Sequence, residues 1–239
     1  MINRSSHRSV GYGQTATAEE IDAGLRAYML GVYNYMTIAL GITGLAAFGV
    51  SQSPELMNVI FGTPLKWVVM LAPLGMVFFL SARINKIQAS TAQMLFWVFA
   101  VLMGVSLASI FVVYNMGSIA RVFFITAAAF AGLSLVGYTT KKNLSAMGSF
   151  LIIGLFGLII ASVVNIFLAS PGLEFVISII GVLIFAGLTA YDTQRIKLMY
   201  IESDGSEVSQ KKSVMGALSL YLNFLNMFMF LLQLLGNRN

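Results

Sequence analysis

Cysteine is absent from this sequence, and histidine occurs once, at His7. Without cysteine the chain forms no disulfide, runs no thiolate chemistry and builds no Cys-ligated metal centre. Zinc needs several ligands converging on one ion, so a single histidine in a polar N-terminal stretch excludes a His-based site. Charge is scarce as well. Asp, Glu, Lys and Arg together make up 10% of the 239 residues, where a soluble domain carries about 25%. With 58% hydrophobic residues and a mean hydropathy of +0.87, the chain cannot cover a water-facing surface. The expected class is an all-α integral membrane protein whose first partner is the lipid bilayer. The net charge of +5 is no nucleic-acid signal, because the basic residues distribute as topology signals.

Residues 1–26 are polar and lack the apolar core of a signal peptide, and Glu19, Glu20 and Asp22 argue against an organellar transit peptide. This segment is expected to be a cytoplasmic tail, flexible over about the first 15 residues. Thr17-Ala-Glu-Glu20 reads as a capping box opening a short helix that feeds the first span. Residues 27–239 form one membrane domain.

A spanning helix needs roughly 20 apolar residues. Seven stretches qualify: 27–50, 65–82, 92–114, 119–139, 147–168, 174–193 and 214–235. The longest connection runs from 194 to 213 and leaves no room for a second domain. No internal repeat supports an inverted-repeat transporter. With the N-terminus cytoplasmic, eleven basic residues face the cytoplasm: Arg4, Arg8, Arg26, Arg83, Lys86, Lys141, Lys142, Arg195, Lys197, Lys211 and Lys212. Only Lys66, Arg121 and Arg238 fall on the other side, so the positive-inside rule predicts N-terminus in and C-terminus out. Trp67 and Tyr114 fall near predicted interfaces. Gly104 with Ala108, Ala128 with Gly132, and Ala186 with Ala190 have the small-residue spacing that lets helices approach closely. Pro73 is expected to kink the second span, while Pro54, Pro64 and Pro171 fall in loops.

The seventh span carries a polar stripe. Ser219, Asn223, Asn226 and Gln233, with Phe230, follow one helix face. Three carboxamides on a spanning helix must hydrogen-bond to other helices or to water, so this helix is expected to be enclosed and central. The stripe either glues helices together or lines a polar path. Asp192, near the cytoplasmic end of the sixth span, is the one acid placed inside a span, where an ionisable group marks a functional site by default. It shares a face with Ser178, Gly181 and Thr189. Four surroundings are open to it: solvation at the interface, a helix-capping role, pairing with Arg195, or burial against Asn223 or Asn226.

The motif Gly187-Leu-Thr-Ala-Tyr-Asp-Thr-Gln194, followed by Ala217–Phe228 (ALSLYLNFLNMF), resembles the Bax inhibitor-1 family, and Met103–Ile110 (MGVSLASI) fits the same pattern. The resemblance covers essentially the whole chain and is nearest to the bacterial, YccA-like branch. It implies seven helices with the last at the centre, an inner-membrane location and, in some members, a slow calcium leak. In those members two aspartates, one in each of the last two spans, form a pH-sensing pair. Asp192 matches the first. Asn223 stands at the second position, so a proton-sharing carboxylate pair is not expected here, while an inter-helix hydrogen bond is. Arg83 is the candidate for an arginine that supports the pair in some relatives.

Asp192, Asn223, Asn226 and Arg83 are therefore the expected gating or ion-path residues, with Tyr191, Thr189, Ser219 and Gln233 in support. Calcium takes six to eight oxygens, so Asp192 would hold it only weakly and transiently, as suits a leak. No other cofactor is expected. The resemblance to the YccA-like branch implies an alternative function, a regulatory protein that modulates a membrane-bound ATP-dependent protease, with the tail as its handle. An enzyme is not expected: ceramidase-like and rhomboid-type chemistry need membrane histidines, and a retinal protein needs a lysine within 214–235.

Overall fold

The structure is a computed structural model that describes residues 18–239, with side chains from Asp22 onward. Residues 1–17 of the expected tail, with Arg4, His7, Arg8 and the Thr17 cap, lie outside the described residues, while residues 18–26 are helical and continuous with the first span. Among the described residues the chain folds into nine helices: α1 Ala18–Ser51, α2 Pro54–Phe61, α3 Leu65–Arg83, α4 Ala89–Leu107, α5 Ile110–Val113, α6 Met116–Thr139, α7 Ser145–Leu168, α8 Pro171–Leu198 and α9 Ser206–Leu235. Seven segments are long and apolar enough to cross a bilayer: α1, α3, α4 with α5, and α6 to α9. Helices are the expected outcome, because in lipid a spanning segment must satisfy its own backbone polar groups.

Helix ends follow capping chemistry rather than the edges of apolar runs. Ser53, Asn115 and Ser170 accept from backbone N–H groups in the first turns of α2, α6 and α8. Pro54 and Pro171 are therefore not loop residues but open α2 and α8, where the missing N–H costs nothing. The connection expected over 194–213 shrinks to residues 199–205. Arg195 and Lys197 suit the C-terminal turn of α8. At the other end, α9 starts in polar sequence, with Glu207 and Lys211 paired at 2.9 Å one turn apart. Lys212 ties the connection down through Asp204 and the Met199 carbonyl.

The last helix is central, as expected. It packs against α8, α1, α6 and α4. Half of its most apolar stretch is buried, against 6% for α7, which lies at the periphery on α8. Tyr221 anchors it. The ring is fully buried and meets Phe96 and Phe99 of α4 edge-on, at 6.0 and 5.4 Å. The Thr43 hydroxyl donates to the Ala100 carbonyl (2.9 Å), so the Tyr221 hydroxyl donates to Thr43 (2.6 Å), joining α1, α4 and α9.

The small-residue pairs divide. At Gly104 a Cβ would fall 2.6 Å from Ala46, so this glycine sets the approach of α4 to α1. Ala128 and Gly132 are exposed, with open space at Gly132. The close contact of α6 is instead Gly137, which abuts the Ala190 backbone. Trp67 is exposed near the start of α3 as expected, but Tyr114 is buried beneath the C-terminal residues, with Gly236 and Arg238 against its ring.

Candidate functional site

Asp192 lies six residues before the end of α8, about 9 Å along its axis, with only 7% of its surface exposed. Two of the environments left open by the sequence occur together. The Asn223 side-chain amide of α9 donates to one carboxylate oxygen at 2.7 Å. The Arg195 guanidinium, one turn further along α8, pairs with the other oxygen at 2.9 Å. The carboxylate is thus held on one side by a buried amide and on the other by a half-exposed cation. Burying a carboxylate without such partners would cost far more than either contact returns.

Arg195 is itself oriented. Its guanidinium donates to the Ser219 hydroxyl of α9 (3.3 Å) and lies 5.7 Å from the centre of the Tyr191 ring. That ring packs on Gly148 of α7, where a Cβ would come within 2.5 Å of the ring carbons. The sequence Tyr-Asp-Thr-Gln-Arg on a helix turn therefore supplies the acid, its cation and the surface under the cation, and glycine on α7 makes room for them.

Two cavities meet at Arg195. One, of about 550 Å³, lies between α7 and α9 with α8 as its floor. Its α7 wall is apolar apart from Ser162 and includes the exposed side chains Ile152, Ile159 and Ile166. Its polar floor is Asp192, Arg195, Ser219, Asn223 and Asn226. The other cavity, of about 240 Å³, lies toward the C-terminal end of α8, between Arg195, Met199, Met215 and Ser219. Arg195 and Ser219 line both, so the guanidinium stands between them.

The structure brings Asp192, Asn223, Asn226, Tyr191 and Ser219 together at this cavity. Asn226 spends its amide N–H on the Leu222 carbonyl (2.8 Å). Gln233 is on the same stripe but ten residues on, about 15 Å along α9, where it accepts from Ser178 (2.8 Å). Thr189 is buried on another side of α8 and donates to the Phe185 carbonyl. Arg83 is not at the site. It is exposed at the C-terminal end of α3, a helix that packs on α4 and α2, and the guanidinium beside Asp192 comes from Arg195, one turn away on the same helix.

The sequence missed a second set of polar contacts. The hydroxyls of Tyr33, Ser134 and Thr193 form a chain from α1 through α6 to α8, with links of 2.5 and 2.9 Å. Gln194 donates to the Lys142 carbonyl and accepts from Leu144 N–H, fixing the α6–α7 turn to α8. Single hydroxyls on separate helices carry no spacing signal that could have linked them.

Among the described residues no three His, Cys, Asp or Glu converge on a metal position. A cation at Asp192 would meet one carboxylate plus amide and hydroxyl oxygens, the donor set of a weak, exchanging site.

A family model described as "Inhibitor of apoptosis-promoting Bax1" matches residues 25–239. The chain is 46% identical to "Uncharacterized protein RP147" of Rickettsia prowazekii, over 94% of this chain and 95% of that one. It is 45% identical to a protein of Caulobacter vibrioides, over 95% and 96% respectively. It is 43% identical to "Inner membrane protein YbhL" of Escherichia coli, over 90% and 94%. Its seven membrane-crossing segments and this relative make it a multi-pass inner-membrane protein.

Proposed function

The chain belongs to the Bax inhibitor-1 family, and from that premise we propose that it is a slow cation leak, for calcium, gated at Asp192. The observation that carries this reading is the position of Arg195. It occupies one oxygen of a buried carboxylate and at the same time separates two cavities. In this arrangement the carboxylate is closed to cations. When Arg195 swings away from Asp192 toward the helix end, one Asp192 oxygen is released and the two cavities join. A calcium ion entering from the basic end of the bundle then exchanges with the guanidinium. Asn223 keeps its hydrogen bond throughout and holds α8 to α9. The positive-inside rule places this basic end at the cytoplasm.

The site suits passage rather than storage, because one carboxylate binds calcium weakly enough to release it. Regulation of a membrane protease would run through residues 1–15, which lie outside the described residues, and no described contact favours it. The test is calcium entry into liposomes that hold the purified full chain and an internal indicator. Entry faster than into protein-free liposomes is expected, and equal rates would overturn the reading.

A further inference from the structure

On another side of α9, a larger cleft of about 780 Å³ runs between α1 and α6, with Phe224 of α9 in its floor. Arg26, Met29, Tyr33, Met36 and Leu40 line it from α1. Phe123, Ala127, Phe130, Ser134 and Tyr138 line it from α6. On each helix these residues recur every three or four positions, so one continuous face of each borders the cleft. From Arg26 to Leu40 is fourteen positions, about 21 Å along α1. One leaflet of a hydrocarbon core is about half of ~30 Å, so the cleft runs deeper than a leaflet.

Polarity is concentrated at one end. Arg26 lines that end together with Tyr138. Lys197 of α8 does not line the cleft but packs against the lining residue Tyr138: its ammonium lies 4.7 Å from the centre of the Tyr138 ring and donates to the Tyr138 carbonyl at 2.8 Å. Midway along, the Tyr33 and Ser134 hydroxyls satisfy each other and Thr193. The remainder is methionine, phenylalanine, leucine and alanine apart from Thr37. An extended hydrocarbon chain matches the apolar lining along the length of this cleft. Two cations at the interface end match a negative headgroup attached to such a chain.

We propose that the α1–α6 cleft is a binding site for an anionic phospholipid of the bilayer, with one acyl chain in the cleft and the headgroup phosphate held between Arg26 and Lys197. The site shares no lining residue with the Asp192 cavity, so it stands whether or not the chain conducts calcium.

The test is native mass spectrometry of the purified full chain, titrated with phosphatidylglycerol and with phosphatidylcholine of the same acyl chains. At least tenfold tighter retention of phosphatidylglycerol is expected. Arg26→Gln with Lys197→Gln should remove that preference. Ala131→Trp, which places bulk on the exposed α6 side of the cleft, should weaken both lipids together while the charges stay. Free glycerol phosphate at millimolar concentration should not compete. Equal retention of the two lipids by the unaltered chain, a preference that survives the double substitution, no effect of Ala131→Trp, or displacement by glycerol phosphate would each overturn the proposal.

Discussion

Replacing Arg195 with glutamine removes the cation from the latch and shortens the side chain that reaches Asp192. Two unit charges about 4 Å apart near a protein surface attract by ~4 kcal/mol before solvation is counted. The Arg195 side chain is 45% exposed, so water already solvates it in either position, and ordering it costs side-chain entropy. Pairs of this kind contribute about 0.2–1 kcal/mol net. The closed position would therefore lose up to ~1 kcal/mol, which multiplies the open fraction by about five. The stronger half of the latch, the Asn223 amide on the carboxylate, is worth about 1.5–3 kcal/mol and remains. The expected result is a calcium leak up to about fivefold faster in Arg195→Gln proteoliposomes. The thermal unfolding midpoint should stay nearly unchanged, and Arg195→Lys should fall in between. A leak rate in Arg195→Gln equal to that of the unaltered chain would refute the view that the guanidinium is the plug.

Three further substitutions probe the surroundings of the latch. Asn223→Asp places a second carboxylate 31 positions on, against Asp192; two such groups share a proton, so the leak should respond to pH more steeply than in the unaltered chain, and an unchanged profile in stopped-flow flux would contradict this. Gly148→Ala drives a methyl into the Tyr191 ring; it should cost about 1–3 kcal/mol by overpacking and, by removing the surface under Arg195, speed the leak in the direction of Arg195→Gln. Tyr221→Phe deletes a buried hydroxyl but leaves Thr43 bonded to the Ala100 carbonyl; inter-helix hydrogen bonds of this kind average ~0.6 kcal/mol in membranes, so the unfolding midpoint should fall slightly, with no change in leak rate.

Seven apolar runs and a stripe of carboxamides were enough to reach the bundle and its central helix, because lipid leaves a chain with no other way to satisfy its backbone. The pairing of Asp192 with α9 was legible for the same reason: an acid and an amide inside a membrane must find partners, and few are available. What stayed hidden depended on contacts between helices far apart in sequence. Arg195 read as an alternative to Asn223, whereas a carboxylate has two oxygens and takes both. Arg83 read as a candidate partner only by resemblance, and α3 carries it away from the site. Tyr114 read as an interfacial ring because nothing in its own neighbourhood shows that the C-terminal residues fold back over it. The proline positions misled in the opposite direction, since a serine before each of Pro54 and Pro171 turns a loop signal into a helix start.

In the proposed leak, the Asp192 carboxylate is the group a passing cation must meet. Asp192→Asn keeps the size of the side chain and an oxygen to accept from Asn223, but it leaves Arg195 as an uncompensated positive charge between the two cavities. Calcium entry into proteoliposomes should then fall to the level of protein-free liposomes, the reverse of the acceleration expected for Arg195→Gln. Entry through Asp192→Asn at the rate of the unaltered chain would contradict the account.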